Sequence, residues 1–213
     1  MTEAAIKAMI HLLDDSDQEV VTMVEQQIRT LGPSIIPVLE SEWETESLNP
    51  LLQTKIENLI HDFQWQSVKT RLQLWKESGG MDLLEGMWIL ATYRYPDYSF
   101  EQLKVEMDQL YYEVWPQMRE ELHPMDQVKV LNTVLFDQLK FGPNSKNFHA
   151  ANNSFINNVL SSKKGNPISL CVIYMWVAQK LGLPVYGVNL PNLFVLTYKQ
   201  NGLQFYINVF NKG

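Results

Sequence analysis

Residues 165–171 read GNPISLC and place a hydroxyl, Ser169, and the chain's single thiol, Cys171, at the head of an apolar run. His149 is the only histidine beyond residue 123 and precedes that run in an Asn- and Ser-rich segment. A serine or cysteine served by a histidine base is the constellation of acyl transfer. The base accepts the proton and the nucleophile attacks an acyl carbon. Asn166 reads as an N-cap and Pro167 as the first position of a helix over 167–181. A helix N-terminus stabilises a thiolate or a nearby oxyanion, so the location suits the chemistry. Two residues turn a helix by about 200°, so Ser169 and Cys171 face opposite sides. Cys171 shares its side with Ile168, Val172 and Met175 and reads as a core thiol. Ser169 holds the position a nucleophile would take. His149 is either a solvent-exposed loop residue with local hydrogen bonds or the base that reaches Ser169.

The carboxylates limit this chemistry. All 24 acidic residues of the 213-residue chain lie at or before Asp137. That part also holds 10 basic residues, a balance of −14, whereas residues 138–213 hold seven lysines and no acid, a balance of +7. The C-terminal third therefore supplies no carboxylate for general acid–base work, no Asp to orient a histidine, and no oxygen cage for a hard metal. One cysteine and scattered histidines give no zinc spacing, and no phosphate-binding loop is present, so no cofactor is expected. The lysines are dispersed, with no arginine among them, which is a poor footprint for nucleic acid. Two units of opposite field that dock on each other account for the asymmetry. A single cysteine allows no intrachain disulfide and suits a reducing cytoplasm. The opening MTEAAIKAMIHLLDDSD turns acidic before a signal-peptide core forms, and no run spans a bilayer, so a cytoplasmic chain without a membrane partner is expected.

The elements that would hold these residues follow from periodicity. EAAIKAMIHLL and DQEVVTMVEQQIRTL read as a helix pair, with Asp17 as cap and Val20, Val21, Val24 and Ile28 on one face. Gly32 and Pro33 punctuate the start of a third helix, and residues 50–63 and 66–77 read as another pair. A pair joined by an acidic turn, then a Gly-Pro break and a further helix, resembles a HEAT-like repeat over 1–78, carried by LGPSIIPVLE. Helices are expected at 81–94, 99–120 and 124–139. The aromatic group Trp88, Tyr93, Tyr95, Tyr98 and Phe100 reads as core at helix junctions, with a stacking surface for bases as the alternative. Residues 141–165 read as a long loop around a short helix at 154–161, and long structured loops are often functional. The 167–181 helix is apolar nearly all round, so it is central and buried. After Gly182 and Pro184 the period changes to two. VYGVNL, LFVLTY and LQFYINVF are strands, with KQNG as a hairpin turn. The fold class is α+β, predominantly α, with a helical N-terminal region packed on a core of one buried helix and a small antiparallel sheet.

The phrases NSFINNVL, KKGNPISLC, LGLPVYGVNLP and FNKG together resemble the transglutaminase-like superfamily. They are most similar to its SirB-type subfamily of invasion-regulator homologues, across residues 153–213 and more weakly back to residue 81. The resemblance implies a papain-like domain over 79–213. In active relatives a Cys at the start of the central helix attacks the acyl group, a His on the following strands is its base, and an Asp orients the His. The subfamily commonly has a serine near the nucleophile position, which here is Ser169. Where the family reads LP-G-H-F, this chain reads LPNLF, so Leu193 stands for the His. Where the family reads D-P-F-N-x-G, Asn208 stands for the Asp. Leu193 cannot accept a proton and Asn208 cannot stabilise an imidazolium. Asn166 and Asn192 are expected to line the cleft. Members usually continue past FNKG, so the domain is either truncated at its C-terminus or a short member.

These residues point to a catalytically degenerate domain that acts as a scaffold or regulator for a protein or peptide partner. The alternative is an acyl hydrolase or transferase using Ser169, or Cys171, with His149. A regulatory role linked to transcription is implied by the family alone.

Overall fold

The computed structural model describes residues 1–45, 49–191 and 193–213, which divide into two units, Met1–Leu74 and Trp75–Gly213. In the first unit, α1 (Glu3–His11) and α2 (Gln18–Leu31) form a helix pair. Asp17 caps α2 by accepting the Glu19 N–H at 2.8 Å. Gly32, at φ 74°, ends α2 before Pro33 starts the turn into α3 (Ile36–Trp43). Their core stripes, Ile6, Ile10, Val24, Ile28 and Leu39, meet Leu52, Ile56, Leu59 and Phe63 of α4 (Pro50–Glu77). Sequence periodicity divides residues 50–77 into two helices, but α4 is one rod of 28 residues. No Gly or Pro stands between Phe63 and Gln66 to interrupt the hydrogen-bond ladder.

The second unit begins with α5 (Leu83–Ala91), α6 (Phe100–Val114) and α7 (Pro124–Asn132). Asp82 caps α5, and Ser99 with Gln102 forms a capping box on α6. Helix α7 runs on as a π-helical turn over Thr133–Gln138. Trp88 and Phe100 pack at 5.2 Å between ring centroids, and Trp88 donates its indole N–H to the Tyr98 carbonyl. Trp88, Tyr98 and Phe100 all lie against the core.

The chain then reaches β1 (Gly142–Pro143), the loop 144–155, α8 (Ile156–Ser162) and β2 (Lys164–Gly165). Strands β1 and β2 pair in parallel for two residues, which fastens both ends of the Asn-rich loop. Helix α9 (Pro167–Lys180) follows and is the centre of the unit. Leu170, Cys171, Val172, Ile173, Tyr174, Val177 and Ala178 are all buried on it. It packs against α5, α6 and α8 on one side and the sheet on the other. That sheet is β3 (Val185–Leu190), β4 (Leu193–Gln200) and β5 (Leu203–Ile207), antiparallel in the order β3-β4-β5. Asn201 and Gly202, at φ 49° and 82°, make the β4–β5 hairpin with the left-handed pair that matches strand twist. The unit is thus α+β and mostly helical around one buried helix. Among the described residues no helix is long and apolar enough to cross a membrane.

Candidate functional site

The first turn of α9 is built by a reciprocal cap. Asn166 Oδ1 accepts the Ser169 N–H at 2.8 Å, and Ser169 Oγ accepts the Asn166 N–H at 3.0 Å. This is the capping-box exchange, which satisfies two N–H groups that a helix start leaves open. The Ser169 hydroxyl proton goes to the Asn153 carbonyl at 2.8 Å. Ser169 is fully buried, so the hydroxyl at the head of the helix is committed as donor and as acceptor. Gly165 makes this fit possible. A Cβ there would stand 2.5 Å from Ser169 Oγ and 2.9 Å from Val159 Cγ1.

Asn153 is the second anchor, and sequence reasoning missed it. Its side chain is buried and donates to the Asn147 and Phe148 carbonyls at 2.8 and 2.9 Å. Its Oδ1 accepts from Asn144 Nδ2 at 2.9 Å. The signal was present in NSKNFHAANN, because a run of amides that can bond their own backbone favours a folded loop. The loop is wound around Asn153 and tied through that residue's carbonyl to Ser169. It thereby presents Phe148 and His149 beside the helix start.

The resulting cleft has a volume of about 440 Å3. Phe148, His149, Ala150, Ala151 and Ser154 form one wall, Asn166, Pro167 and Ile168 the floor, and Asn189, Leu190, Leu193 and Phe194 the opposite wall. His149 is exposed, and its ring meets Phe148 edge-on at 5.1 Å. Phe148 in turn meets Phe210 edge-on at 5.9 Å. Leu193 opens β4 and presents its side chain to the same space. His149, Asn166 and Leu193 are therefore brought together. Ser169 and Cys171 are not among the lining residues.

Cys171 lies fully buried, with Sγ 3.8 Å from the Phe194 carbonyl, a distance for a weak S–H donor. Burial pushes its thiol up to about 12, because the thiolate has no water to stabilise it. The sequence puts Ile168 on the same side, yet Ile168 is 51% exposed. It occupies the first turn, where the helix has just emerged and the cleft lies beside it. Asn208 sits away from the cleft. Its side chain accepts the Asn211 N–H at 3.3 Å and caps the turn Val209–Asn211. Asn192 lies outside the described residues.

The described lining holds no carboxylate, thiol or lysine. Its polar groups are the His149 imidazole, the Ser154 hydroxyl, which accepts from Asn166 Nδ2 at 2.9 Å, and the Asn189 amide. Such a surface accommodates an apolar side chain and offers hydrogen bonds to neutral groups. Among the described residues no three His, Cys, Asp or Glu side chains converge for a metal. A smaller cleft of about 200 Å3 between α6 and α8 holds Glu106 and Lys163, and burial raises the first and lowers the second.

A buried helix whose capped start faces a cleft beside a three-stranded antiparallel sheet defines an α+β domain of one recurrent class. The transglutaminase-like superfamily model matches residues 101–213, more than half of the chain, and the protein belongs to that superfamily. Curated relatives include F-box only protein 21 of Mus musculus, 37% identical over 91 residues, which cover 39% of this chain and 14% of that protein. A UPF0162 protein of Xylella fastidiosa is 32% identical over 158 residues, covering 67% of this chain and 52% of the relative. A UPF0162 protein of Vibrio cholerae is 26% identical over 132 residues, covering 62% and 49%. The chain thus spans about half the length of the UPF0162 relatives and a far smaller share of the F-box protein. No solved structure matches.

Proposed function

We propose that this chain is a catalytically silent transglutaminase-like module that holds a peptide or protein segment in the cleft at the head of α9. The observation that carries the reading is the commitment of Ser169. Its hydroxyl is fully buried and bonded both ways within the capping box and to Asn153. The positions that the family resemblance assigns to a base and an orienting acid are Leu193, in the cleft wall, and Asn208, a turn cap. What remains is a groove with apolar walls and a few neutral polar groups, the composition of a recognition site. The SirB-type affiliation, a HEAT-like character for the first unit and a cytoplasmic, regulatory setting belong to the same reading.

The second reading is an acyl hydrolase or transferase, favoured by His149 lining the same cleft as the helix start. Fluorophosphonate and iodoacetamide probes on folded protein separate the two. The silent-module reading expects neither Ser169 nor Cys171 to be labelled. Labelling of Ser169 that vanishes when His149 is replaced by Ala would overturn it.

A further inference from the structure

The outer edge of β3 stands open beside the cleft. In the sheet order β3-β4-β5, β3 has a strand neighbour on one side only among the described residues. The Lys199 N–H donates to the Pro184 carbonyl at 3.0 Å, which fixes the phase of the alternating antiparallel ladder. With Tyr186, Val188 and Leu190 opposite Thr197, Val195 and Leu193, the even-numbered residues bond inward to β4. Val185, Gly187 and Asn189 then direct N–H and C=O outward. The Val185 carbonyl is already taken by Gln179 Nε2 at 2.8 Å, which supports the assignment. Among the described residues no hydrogen bond beyond the ladder reaches Gly187 or Asn189.

Natural sheets protect such edges with charge, proline, a bulge or a covering loop. VYGVNL carries none of the first two, its register with β4 is unbroken, and Tyr186 and Leu190 are 51% and 39% exposed on it. Gly187 also lacks a side chain to shield the strand, because the Phe194 ring fills that space and a Cβ would stand 2.8 Å from Phe194 Cζ. Asn189 and Leu190 end the strand inside the cleft wall. An extended segment paired along Gly187 and Asn189 would therefore run directly into the cleft.

The chemistry of that segment follows from charge. Residues 138–213, which supply every lining residue and the whole sheet, contain lysine and no acid. Lys146 lies two residues before Phe148, and Lys212 two residues after Phe210, whose ring contacts Phe148. Both are exposed and neither has an ion-pair partner among the described residues. We propose that the β3 edge and the cleft bind an extended acidic peptide, which adds a strand through Gly187 and Asn189, seats an apolar side chain against Leu190 and Leu193, and meets Lys146 and Lys212 with its carboxylates. Strand addition supplies sequence-independent main-chain bonds, and the pocket and lysines supply selectivity. A second copy paired edge to edge through its own β3 would bring lysine against lysine. Nucleic acid has no backbone amides to pair with the edge, and seven dispersed lysines offer it little else.

This inference rests on the silent-module reading but has a separate test. The full chain is titrated by fluorescence anisotropy with a labelled octapeptide carrying one central Leu flanked by Glu. The comparison probes are the same peptide with Lys for Glu, the same peptide with N-methylated alternate amides, and a single-stranded RNA of equal charge. The expected result is binding of the acidic peptide, at least tenfold loss with the lysine version, and at least tenfold loss on N-methylation. Asn189→Pro removes one outward N–H while sparing the inward ladder and is expected to cost at least tenfold, with Asn189→Ala as its control. Lys146→Glu with Lys212→Glu is expected to abolish the preference for acid. Equal affinity for the acidic and lysine peptides, indifference to N-methylation, tighter binding of the RNA, self-association that the peptide does not compete, or no binding of the acidic peptide overturns the inference. If probes leave Ser169 unlabelled while the acidic peptide fails to bind, the inference falls and the silent-module reading stands.

Discussion

Replacing Ser169 with alanine separates a structural hydroxyl from a catalytic one. The side chain accepts the Asn166 N–H at 3.0 Å and donates to the Asn153 carbonyl at 2.8 Å. Each such bond contributes about 0.5–1.5 kcal/mol net, and a buried group left unpaired costs about 1–3 kcal/mol. Two features soften the loss. The Asn166 N–H retains a longer contact to the Asn153 carbonyl at 3.3 Å, and that carbonyl keeps the same contact as acceptor. The cap from Asn166 Oδ1 to the Ser169 N–H also survives the substitution. The expected cost is therefore about 2 kcal/mol, in the middle of the range for losing half of a capping box. For a chain of this size that lowers the melting temperature by roughly 4–8 °C. Hydrogen exchange is expected to quicken at the amides of Asn166 and of the 147–154 loop before it changes at the centre of α9. Urea denaturation and exchange together measure both effects. A Ser169→Ala protein within about 0.5 kcal/mol of the parent, with unchanged exchange at Asn166, refutes the assignment of this hydroxyl to the cap.

Three further outcomes follow from the same packing. Gly165→Ala forces a Cβ to within 2.5 Å of Ser169 Oγ and 2.9 Å of Val159 Cγ1, so a loss of about 3 kcal/mol is expected in denaturant titration. Asn153→Ala removes three side-chain hydrogen bonds at a buried position and is expected to cost about 2–4 kcal/mol, with limited proteolysis newly cutting near Phe148. Cys171 is expected to resist iodoacetamide at pH 8 in the folded chain and react once unfolded. Its folded pKa, about 12, lies above the ordinary value of 9.0, so its contribution is fully present below pH 9 and is lost as pH rises towards 12. Stability should fall by about 1 kcal/mol between pH 9 and 10, where the unfolded thiol passes from half to almost fully ionised, and Cys171→Ala should flatten that slope.

Local signals were legible wherever one residue type solves one backbone problem. Asn166 followed by Pro167 marks the α9 start because the cap needs a short acceptor and the next position needs no N–H. Asn201-Gly202 marks the hairpin because both residues tolerate positive φ. The change of period after Gly182 reveals β5, where Leu203, Phe205 and Ile207 turn inward and Gln204 and Tyr206 outward, whereas β4 buries Val195, Leu196, Thr197 and Tyr198 in succession and is legible only as a short β-branched and aromatic run. The continuity of α4 was hidden because its buried residues shift phase, from Leu52, Ile56, Leu59 and Phe63 to Val68, without any breaking residue. The Asn153 anchor was hidden for another reason. Amides read as solvated loop, whereas this one turns inward to Asn144, Asn147 and Phe148 and its backbone carbonyl meets Ser169, 16 residues away. The cleft walls likewise depend on which strand ends meet the helix start, and that is a tertiary fact.

The capping hydroxyl gives GNPISL a structural task beside a wall that reads Leu193. The stretch performs two tasks that are separable in principle. One is to present a nucleophile at a helix dipole, and the other is to hold the loop that forms half the cleft. Ser169 performs the second, because its bond to Asn153 joins α9 to the segment carrying Phe148 and His149. A nucleophile must release its proton to a base at the moment of attack. Here the hydroxyl donates to a carbonyl inside the protein, and the imidazole lines a cleft that Ser169 does not. Recruiting the hydroxyl would break its bond to the Asn153 carbonyl and half of the capping box. On the proposed reading, the bond that shapes the cleft is also the bond that withholds the chemistry.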